Sequence, residues 1–467
     1  MDGIRREYSV LPKHPQKIDE ILKPLILNDE TYGKLKEKMR ADMNMGLSTD
    51  RNQDADTKMY ITYVRCVPTG SEKGNYLALD LGGTNFRVLL IKLSPGEEVK
   101  MESKIYMVPR DVMTGTGVQL FDHIAGCIES FMIYQNLDKN VAIPLGFTFS
   151  FPCKQEGLDK ARLVTWTKGF SCSGVVGEDI VELLHAALDR KSIRVKCVAV
   201  INDTVGALMS CAHEDKNCHI GLILGTGTNA CYLERLTNVH QWDGDDEEPR
   251  EISEPVVINT EWGAFGNGSA LDFICTEYDA NVDNLSINPG RQIYEKMISG
   301  MYMGEIARQV IMKLVDAGCL FNGVASQALA TSMSFRTKYI SEIESDEEFD
   351  NFVRTRQVLD ELHIRDYRLA DCLVIQEVCQ VVSTRAAYLA AAGISVLLDA
   401  VTQPEVTIAV DGSLYRYHPK FHDLITEKVA ELSPNKVFKL MLSSDGSGKG
   451  AALVAAVAWT RSQAKEE

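Results

Sequence analysis

Asp203 is the residue of this sequence best placed to do chemistry. The segment VKCVAVIN has the pattern of a buried strand, and a short helix is predicted to begin near Thr204. Asp203 therefore falls at the carboxyl end of a strand, where open α/β sheets hold their ligands. A carboxylate at this point can accept the proton of an attacking hydroxyl group as a general base. The alternative is a structural role in which Asp203 only caps the helix.

Four glycine-rich polar turns each follow an apolar strand. They are DLGGTNFR at 80–87, LGTGTNA at 224–230, DGS at 411–413 and DGSGKGA at 445–451. Glycine permits positive φ and close backbone approach, so the N–H groups of such turns can converge on phosphate oxygens. The last turn also precedes an Ala-rich helix, whose N-terminus favours an anion. Any one of them would ordinarily be only a tight turn, whereas the four together indicate a nucleotide cradle.

Two better-known phosphate motifs are not satisfied. In DGSGKGA, Lys449 is followed by glycine, so the P-loop pattern G-x-x-x-x-G-K-[ST] is absent from the sequence. Gly225, Gly227 and Ala230 match G-x-G-x-x-G/A, but the following CYLERL continues a strand instead of opening a helix. The dinucleotide interpretation thus lacks its structural context, and the sequence carries no protein-kinase motifs either.

Further polar groups stand in apolar or aromatic surroundings. Carboxylates, amides and hydroxyls of this kind can hold a polyol by its hydroxyl groups. They are Ser150 in FTFSFP, Thr167 and Lys168 in TWTKGF, Asn202, Asn229, Glu261 in NTEWGAFG and Glu295 in GRQIYEK. Either glutamate alone would more often be a surface charge, but Glu261 is flanked by Trp262 and Phe265.

The elements that must position these residues contain a repeat. YLALDLGGTNFRVLLIKL and IGLILGTGTNACYLERL each have the pattern of a hairpin of buried strands around a glycine turn. The triplet Gly-Thr-Asn occurs at the same place in both, at 83–85 and 227–229, which indicates an internal duplication. VAIPLGFTFSFP, VTIAVDGSLY and VFKLMLSS are predicted as further strands. Helical spacing is found at 18–45, with a cap at Asn28 or Asp29, at 120–131, at 180–188 and over most of 282–401.

The composition is that of a globular protein with a large core. Of the 467 residues, 45% are hydrophobic and 24% charged, which excludes a disordered or collagen-like chain. Lys and Arg number 49 against 65 Asp and Glu, a formal net charge of −16. Because nucleic acids and anionic membranes attract clustered basic residues, this balance argues against both as partners.

The cysteines and the apolar segments indicate a reducing compartment. Twelve cysteines are scattered from Cys66 to Cys379 without a C-x-x-C pair or zinc-finger spacing. The first residues lack the apolar core of a signal peptide, and the uncharged apolar stretch 386–398 is too short to span a bilayer. We therefore expect a cytoplasmic protein without membrane insertion. The segment 241–255 is expected to be an acidic surface loop, since as a metal site it lacks the pattern of a calcium loop.

Taken in order, these motifs resemble those of the eukaryotic hexokinases, glucokinase included. The matching segments, over about residues 20–460, are LDLGGTNFR, LGFTFSFP, TWTKGF, INDT, GTGTNACY, NTEWGAFG, NPGRQIYEK, VDGS and DGSGKGAAL. The resemblance implies the ribonuclease H-like α/β fold shared with actin and Hsp70-type ATPases, with two domains around a cleft. It implies a small domain at 67–206 plus 444–458 and a large domain at 14–66 plus 207–443.

The resemblance also implies a reaction, the ATP-dependent phosphorylation of glucose and related hexoses at the 6-hydroxyl, giving hexose 6-phosphate and ADP as the first step of glycolysis. Asp203 would be the general base, and Lys168 would offset charge on the transferred phosphoryl group. The sugar would be lined by Ser150, Thr167, Lys168, Asn202, Asp203, Asn229, Glu261 and Glu295. ATP would contact Asp80, Gly82, Gly83, Thr84, Asn85, Arg87, Gly225, Thr226, Gly227, Thr337, Ser341, Gly412, Ser413 and Ser447. Mg²⁺ would be held by phosphate oxygens and water, with Asp80 nearby but no direct protein ligand.

Other functions on the same fold compete with this one. A non-catalytic sugar sensor would bind hexose without turnover, and an actin-like or chaperone-like ATPase would hydrolyse ATP without sugar. Thr228 and Met301 are similar to ordinary hexokinases, not to vertebrate glucokinase, while Asn267 stands where the family often has Asp. Retention of Asp203, Lys168 and all the phosphate turns favours the kinase. The sequence leaves open sugar preference, affinity, product inhibition and oligomeric state, a monomer being compatible with it.

Overall fold

The strands of the protein fall into two main sheets. The structure is a computed structural model that describes residues 12–82, 85–166, 168–243, 255–347, 351–443 and 445–466. Within these residues there are a six-stranded sheet, a five-stranded sheet and a two-stranded hairpin. The strands are β1 Tyr60–Ile61, β2 Gly74–Leu81, β3 Asn85–Leu93, β4 Lys100–Met107, β5 Ile143–Phe149, β6 Cys153–Gly157, β7 Lys160–Leu163, β8 Val195–Ile201, β9 Cys218–Leu224, β10 Thr228–Glu234, β11 Val256–Asn259, β12 Glu405–Asp411 and β13 Val437–Leu442.

The helices pack on these sheets and on one another, joined in places by short 3₁₀ turns. The α-helices of the described residues are α1 Pro15–Leu22, α2 Asp29–Gly46, α3 Arg110–Met113, α4 Gly117–Tyr134, α5 Ile180–Arg190, α6 Asp203–Glu214, α7 Glu277–Leu285, α8 Ile293–Ile298, α9 Met303–Asp316, α10 Gln327–Ala330, α11 Thr337–Glu344, α12 Val353–Glu361, α13 Leu369–Ala400, α14 Ser413–Tyr417, α15 Phe421–Leu432 and α16 Gly446–Glu466.

The five-stranded sheet has the order β4-β3-β2-β5-β8. β2 and β3 form the first predicted hairpin, with Leu81 opposite Phe86 at its end, and β4 continues the antiparallel run. β5 and β8 lie on the other side of β2 and run parallel to it. Helices cover both faces of β5, which explains why every one of its residues is buried.

The six-stranded sheet repeats this order as β11-β10-β9-β12-β13, with β1 added beside β11. β9 and β10 form the second predicted hairpin, in which Thr228 pairs with Leu224. β12 lies parallel to β9, and β13 lies parallel to β12. The two sheets thus share one strand order and one pattern of strand directions. The internal duplication predicted from the two Gly-Thr-Asn triplets is confirmed at the level of topology.

Helices α6 and α16 connect the two sheets. Each follows the last parallel strand of its own sheet, β8 for α6 and β13 for α16. Where they cross, a Cβ atom on Gly450 would lie 2.1 Å from the carbonyl oxygen of Gly206, and one on Gly206 would lie 2.9 Å from that of Gly446. The two backbones therefore touch directly, and glycine is required at the crossing.

The longest helix, α13, fills the core beside the six-stranded sheet, where it packs on α2 and α15. The apolar stretch 386–398 lies in it. Among the described helices, α13 is the one that is long and apolar enough to cross a bilayer, and 89% of its most apolar window is buried by the rest of the fold.

Local predictions can be compared with these elements. The helical spacing at 18–45 corresponds to two helices, α1 and α2, because Pro24 lies in a 3₁₀ turn between them. Asn28 caps α2 as predicted, since its side chain accepts a hydrogen bond from the backbone N–H of Thr31. The predicted domain limits stay a prediction: each main sheet lies on one side of them, but α6 runs across the limit at 206. Of the acidic loop, residues 244–254 lie outside the described residues.

Candidate active site

Asp203 lies at the first position of α6, directly after β8, and its side chain is half-buried. The N-cap is the preceding residue, Asn202, whose Oδ1 accepts hydrogen bonds from the backbone N–H (2.9 Å) and the hydroxyl (2.8 Å) of Thr204. Asp203 Oδ1 shares that N–H at 2.9 Å. Among the described residues no other group donates to the Asp203 carboxylate. Asn202 is the N-cap, so the capping role left open above does not belong to Asp203, and its role as a base stays a prediction.

Lys168 follows the β6–β7 hairpin in a left-handed conformation, with φ of 55°. Its ammonium donates a hydrogen bond to the backbone carbonyl of Ser150 (2.8 Å), just after β5, and lies 5.5 Å from the ring centre of Phe151. The backbone bond and the aromatic ring aim the charge at the carboxyl ends of β5 and β8, the side on which Asp203 lies. Thr167, predicted as a sugar contact, lies outside the described residues.

Glu261 comes from the opposite sheet, two residues after β11, and has a φ of 50°. Its Oε1 accepts hydrogen bonds from the side-chain amides of Asn229 (2.9 Å) and Asn259 (2.8 Å). The Asn229 amide also donates to Asn259 Oδ1 at 2.8 Å. These bonds fix the orientation of one amide and one carboxylate that the sequence predicts for sugar binding.

Glu295, on α8, lies against the second glycine turn. Its Oε2 accepts a hydrogen bond from the backbone N–H of Thr228 at 3.0 Å. A Cβ atom on Gly227 would lie 2.7 Å from the same oxygen, so glycine is needed there for the carboxylate to approach. The Thr228 hydroxyl in turn accepts from the indole N–H of Trp262 at 3.1 Å. The turn and the carboxylate are thus positioned by one connected set of bonds.

The charged groups of this region shift one another's pKa values. Burial raises the pKa of Asp203 from 3.8 to about 6, with Lys168 opposing the shift and Glu261 and Asp80 adding to it. Burial also raises the pKa of Glu261, Glu295 and Asp80. It lowers the pKa of Lys168, although the carboxylates of Asp203 and Asp80 oppose that shift. The four carboxyl groups and the ammonium therefore form one electrostatically coupled cluster, as in many catalytic sites.

The first glycine turn adjoins an ion-pair bridge. Arg87 Nη2 donates to Asp80 at 2.8 Å and contacts Asp445, from the turn before α16, at 2.5 Å. Asp80 is thus tied to Arg87 and is half-buried beside Gly82. Asn85, the first residue of β3, is exposed, whereas Gly83 and Thr84 lie outside the described residues.

The second and third glycine turns touch each other. A Cβ atom on Gly412 would lie 2.3 Å from the carbonyl oxygen of Leu224, and Gly412 has a φ of 120°, so glycine is required on both counts. Gly225 also packs against Gly412, since a Cβ atom on Gly225 would lie 3.4 Å from the Cα atom of Gly412. The close approach brings Thr226 and Ser413 to one cavity.

This cavity, of about 500 Å³, unites four of the predicted nucleotide contacts. Its lining consists of Thr226, Gly300, Met301, Arg336, Thr337, Lys338, Ser341, Glu342, Ser345, Arg354, Ser413, Leu414 and Tyr417. The hydroxyl oxygen of Thr337 accepts a hydrogen bond from the backbone N–H of Gly304 at 2.9 Å, so its proton remains for another acceptor. Ser447 is not among these residues. It lies in the first turn of α16, where its carbonyl accepts from the Thr148 hydroxyl at 2.8 Å.

Comparison with known proteins identifies the family. Two family models, each described as hexokinase, match residues 17–213 and 219–457. The chain belongs to the hexokinase family. The predicted resemblance is confirmed, and so is the two-domain α/β fold of the actin and Hsp70 type.

Individual hexokinases are similar over nearly the whole chain. Hexokinase-2 of Equus caballus is 46% identical over 460 residues, which cover 97% of this chain and 49% of that protein. Hexokinase-3 of Homo sapiens is 47% identical over 455 residues, covering 96% and 48%. The chain thus spans about half the length of these curated relatives. A solved hexokinase from Schistosoma mansoni, complexed with glucose, superimposes with a TM-score of 0.85 at 44% identity and covers 95% of this chain and 98% of that one.

Two residues of this hexokinase site were not predicted from the sequence. Asn259 orients both Asn229 and Glu261. The feature of the sequence that could have indicated it is a polar residue at the end of the apolar strand VVIN. Asp445, just before α16, forms an ion pair with Arg87 of β3. It stands first in DGSGKGA, a segment chosen only for its glycines.

The described residues suit a metal ion carried by the substrate. No group of three or more His, Cys, Asp or Glu among them could hold a metal. Asp80, the predicted neighbour of Mg²⁺, is already bonded to Arg87. A site of this kind fits an ion whose ligands are phosphate oxygens and water, which Mg²⁺ favours.

Proposed function

We propose that this hexokinase transfers the γ-phosphoryl group of ATP to the 6-hydroxyl of glucose and related hexoses, giving hexose 6-phosphate and ADP. One observation carries the proposal. A carboxylate with a pKa near 6, Asp203, lies in one cluster with Lys168 and with the carboxylates of Glu261 and Glu295. The cluster offers a base, a cation and acceptors for several hydroxyl groups within one site.

The sugar is proposed to bind between the two sheets. Glu261 and Asn229 hold their polar groups in fixed orientations through Asn259, and Glu295 is held by the backbone of Thr228. Fixed acceptors suit a polyol because they lose little side-chain entropy on binding. The glucose complex of the Schistosoma mansoni relative supports a hexose as the substrate.

Asp203 is proposed to take the proton of the sugar hydroxyl as that oxygen attacks phosphorus. A base acts best when its pKa is near the working pH, and burial moves the pKa of Asp203 to about 6. Lys168 is proposed to stabilise negative charge on the transferred phosphoryl group. Such a reaction depends on positioning and charge stabilisation, and exclusion of water keeps the sugar the preferred acceptor.

ATP is proposed to bind with its phosphates at the glycine turns and its nucleoside in the cavity beside Thr226, Thr337 and Ser341. The N-terminus of α16 adds backbone donors for phosphate. Bound Mg²⁺ would neutralise charge on the β- and γ-phosphates, and Asp80, held by Arg87, would face its water ligands.

The proposed location is the cytoplasm. All twelve cysteines are free thiols, which suits a reducing compartment.

A coupled assay of hexose 6-phosphate formation tests the proposal. We expect glucose-dependent turnover with Mg-ATP, and a loss of about 10²–10⁴-fold in kcat for Asp203→Ala, the usual size of a general-base contribution. Asp122→Ala, an exposed aspartate paired with Arg190, serves as the matched control and should behave as wild type. Near-normal activity of Asp203→Ala would remove Asp203 from this role.

The same assay separates the other candidate functions. A non-catalytic sugar sensor would bind glucose, measured by calorimetry, without forming product. An ATPase of the actin or chaperone type would release phosphate at the same rate with and without glucose. The proposed kinase forms ADP at a rate that rises with glucose and saturates.

A further inference from the structure

Two large apolar side chains stand exposed at the rim of the nucleotide cavity. Tyr417 is 72% exposed and Met301 is 42% exposed, although most of the residues that line the cavity are polar or charged. Within the described parts of the chain, the Tyr417 side chain has no ring contact, cation contact or hydrogen bond. An aromatic ring that is held at a cavity mouth without a partner has its whole face free for a ligand.

The backbone beneath Tyr417 is firmly held. Tyr417 ends α14, and the next residue, His418, is buried, with Nε2 3.3 Å from Glu344 Oε1. The Ser383 hydroxyl donates to the same Glu344 oxygen at 2.5 Å, and His418 Nδ1 accepts from the backbone N–H of Lys420 at 3.2 Å. The ring is therefore presented to solvent by a segment that is itself anchored in the core.

The contact between His418 and Glu344 also connects two segments that line the cavity. Glu344 is the last residue of α11, the helix that carries Thr337 and Ser341 into the cavity lining. His418 follows α14, which carries Ser413 into the same lining. A buried contact at 3.3 Å thus links the segments on two sides of the cavity that Tyr417 lines.

We propose that Tyr417 is the platform on which the purine base of the phosphoryl donor stacks, an inference that rests on the proposed function. A base has two apolar faces and a polar edge. Tyr417 would cover a face, Met301 would pack at the rim, and the hydroxyls of Ser341 and Ser345 would meet the edge. Stacking of a base on an aromatic side chain contributes, by alanine substitution, a factor of about 5 to 150 in affinity.

Steady-state kinetics of Tyr417→Ala and Tyr417→Phe test this platform. With glucose saturating, we expect Tyr417→Ala to raise KM for ATP about 5- to 150-fold, while KM for glucose changes less than twofold. Tyr417→Phe keeps the ring and should stay within about threefold of wild type. Because a purine stacks more strongly than a pyrimidine, Tyr417→Ala should also narrow the preference for ATP over CTP. Tyr134→Ala, an equally exposed tyrosine on α4, is the matched control.

Three results would overturn the proposal. They are an unchanged KM for ATP in Tyr417→Ala, an equal rise in Tyr417→Phe, and a parallel rise in KM for glucose. Calorimetric titration of wild type and Tyr417→Ala with ADP keeps the inference separate from the proposed function. If wild type binds ADP and the variant binds it more weakly but neither forms hexose 6-phosphate, the platform stands and the kinase proposal fails. Equal ADP affinities would refute the platform whatever the turnover.

Discussion

Replacing the proposed base should make the protein more stable while it strongly lowers kcat. Burial raises the pKa of Asp203 from 3.8 in the unfolded chain to about 6 in the folded one. At pH 7 the carboxylate is therefore ionised in a site that disfavours its charge. Asp203→Asn keeps the shape and the acceptor oxygen for the Thr204 N–H but removes the charge.

The expected gain in stability of Asp203→Asn follows from the pKa shift of Asp203. About two pKa units correspond to about 3 kcal/mol at 1.36 kcal/mol per unit. Because the side chain is only half-buried and solvent screens part of the charge, we expect a net gain of about 1–2 kcal/mol. With an unfolding entropy of about 2.1 cal/mol/K per residue over 467 residues, this is a rise of about 1–2 °C in Tm.

The pH dependence of the stability difference between Asp203→Asn and wild type distinguishes the removal of a buried charge from a general change in packing. A carboxyl group whose pKa is higher in the folded state binds more protons there between the two pKa values. Wild type therefore gains stability as the pH falls from 6 towards 3.8, whereas Asp203→Asn does not. The advantage of the variant should be nearly complete above pH 7, about half as large near pH 5, and about a quarter as large at pH 4.

Thermal unfolding of both proteins without ligand, followed by fluorescence from pH 4 to 8, measures the difference. Asp122→Asn, at an exposed aspartate, is the control and should show no such pH-dependent gain. A lower Tm for Asp203→Asn at pH 7.5, or a difference that does not change with pH, would refute the reasoning that burial raises this pKa.

Two further substitutions test the site and the helix crossing. Glu261→Gln removes a charge that raises the pKa of Asp203, so the acid limb of the kcat/KM–pH profile for glucose should move to lower pH; a limb that stays in place contradicts the coupling. Gly450→Ala puts a methyl group 2.1 Å from the Gly206 oxygen and should cost about 1–3 kcal/mol, measured by denaturant unfolding. Gly33→Ala, in α2 with nothing within 4 Å of the new atom, should instead stabilise slightly, and equal effects would contradict the steric argument.

The fold was predictable where local pattern and turn chemistry agree. Each Gly-Thr-Asn triplet sits between two apolar runs, and only a hairpin buries both runs while it leaves the glycine turn at the sheet edge. The shared strand order of the two sheets could not be derived in the same way. The pairs β2–β5 and β9–β12 join segments far apart in the chain, and nothing in their sequences encodes which neighbour a parallel strand takes.

The residues of the site, too, were predictable where their position depends on local sequence and not where it depends on tertiary contacts. Asp203 was predictable because its position depends only on the end of one strand and the start of one helix. The sugar and nucleotide contacts as a set came from the resemblance to hexokinases and stay predictions for this chain. The role of Asn259 depends on a hydrogen bond from Asn229, 30 residues away in sequence, and that of Tyr417 depends on how far its ring is exposed. Neither property is visible before the chain is folded.

The crossing of α6 and α16 joins the helices that carry predicted site residues next to each of the two sheets. Asp203 is the first residue of α6, and Ser447 lies in the first turn of α16, so the N-terminus of each helix carries a residue predicted for the site. Backbone contact at Gly206 brings these two ends closer than any side chain at the crossing would allow. The N-terminus of α16 is the proposed phosphate contact, and that of α6 carries the proposed base. A side chain at either glycine would push the two helices apart, and with them the predicted base and the predicted phosphate turn.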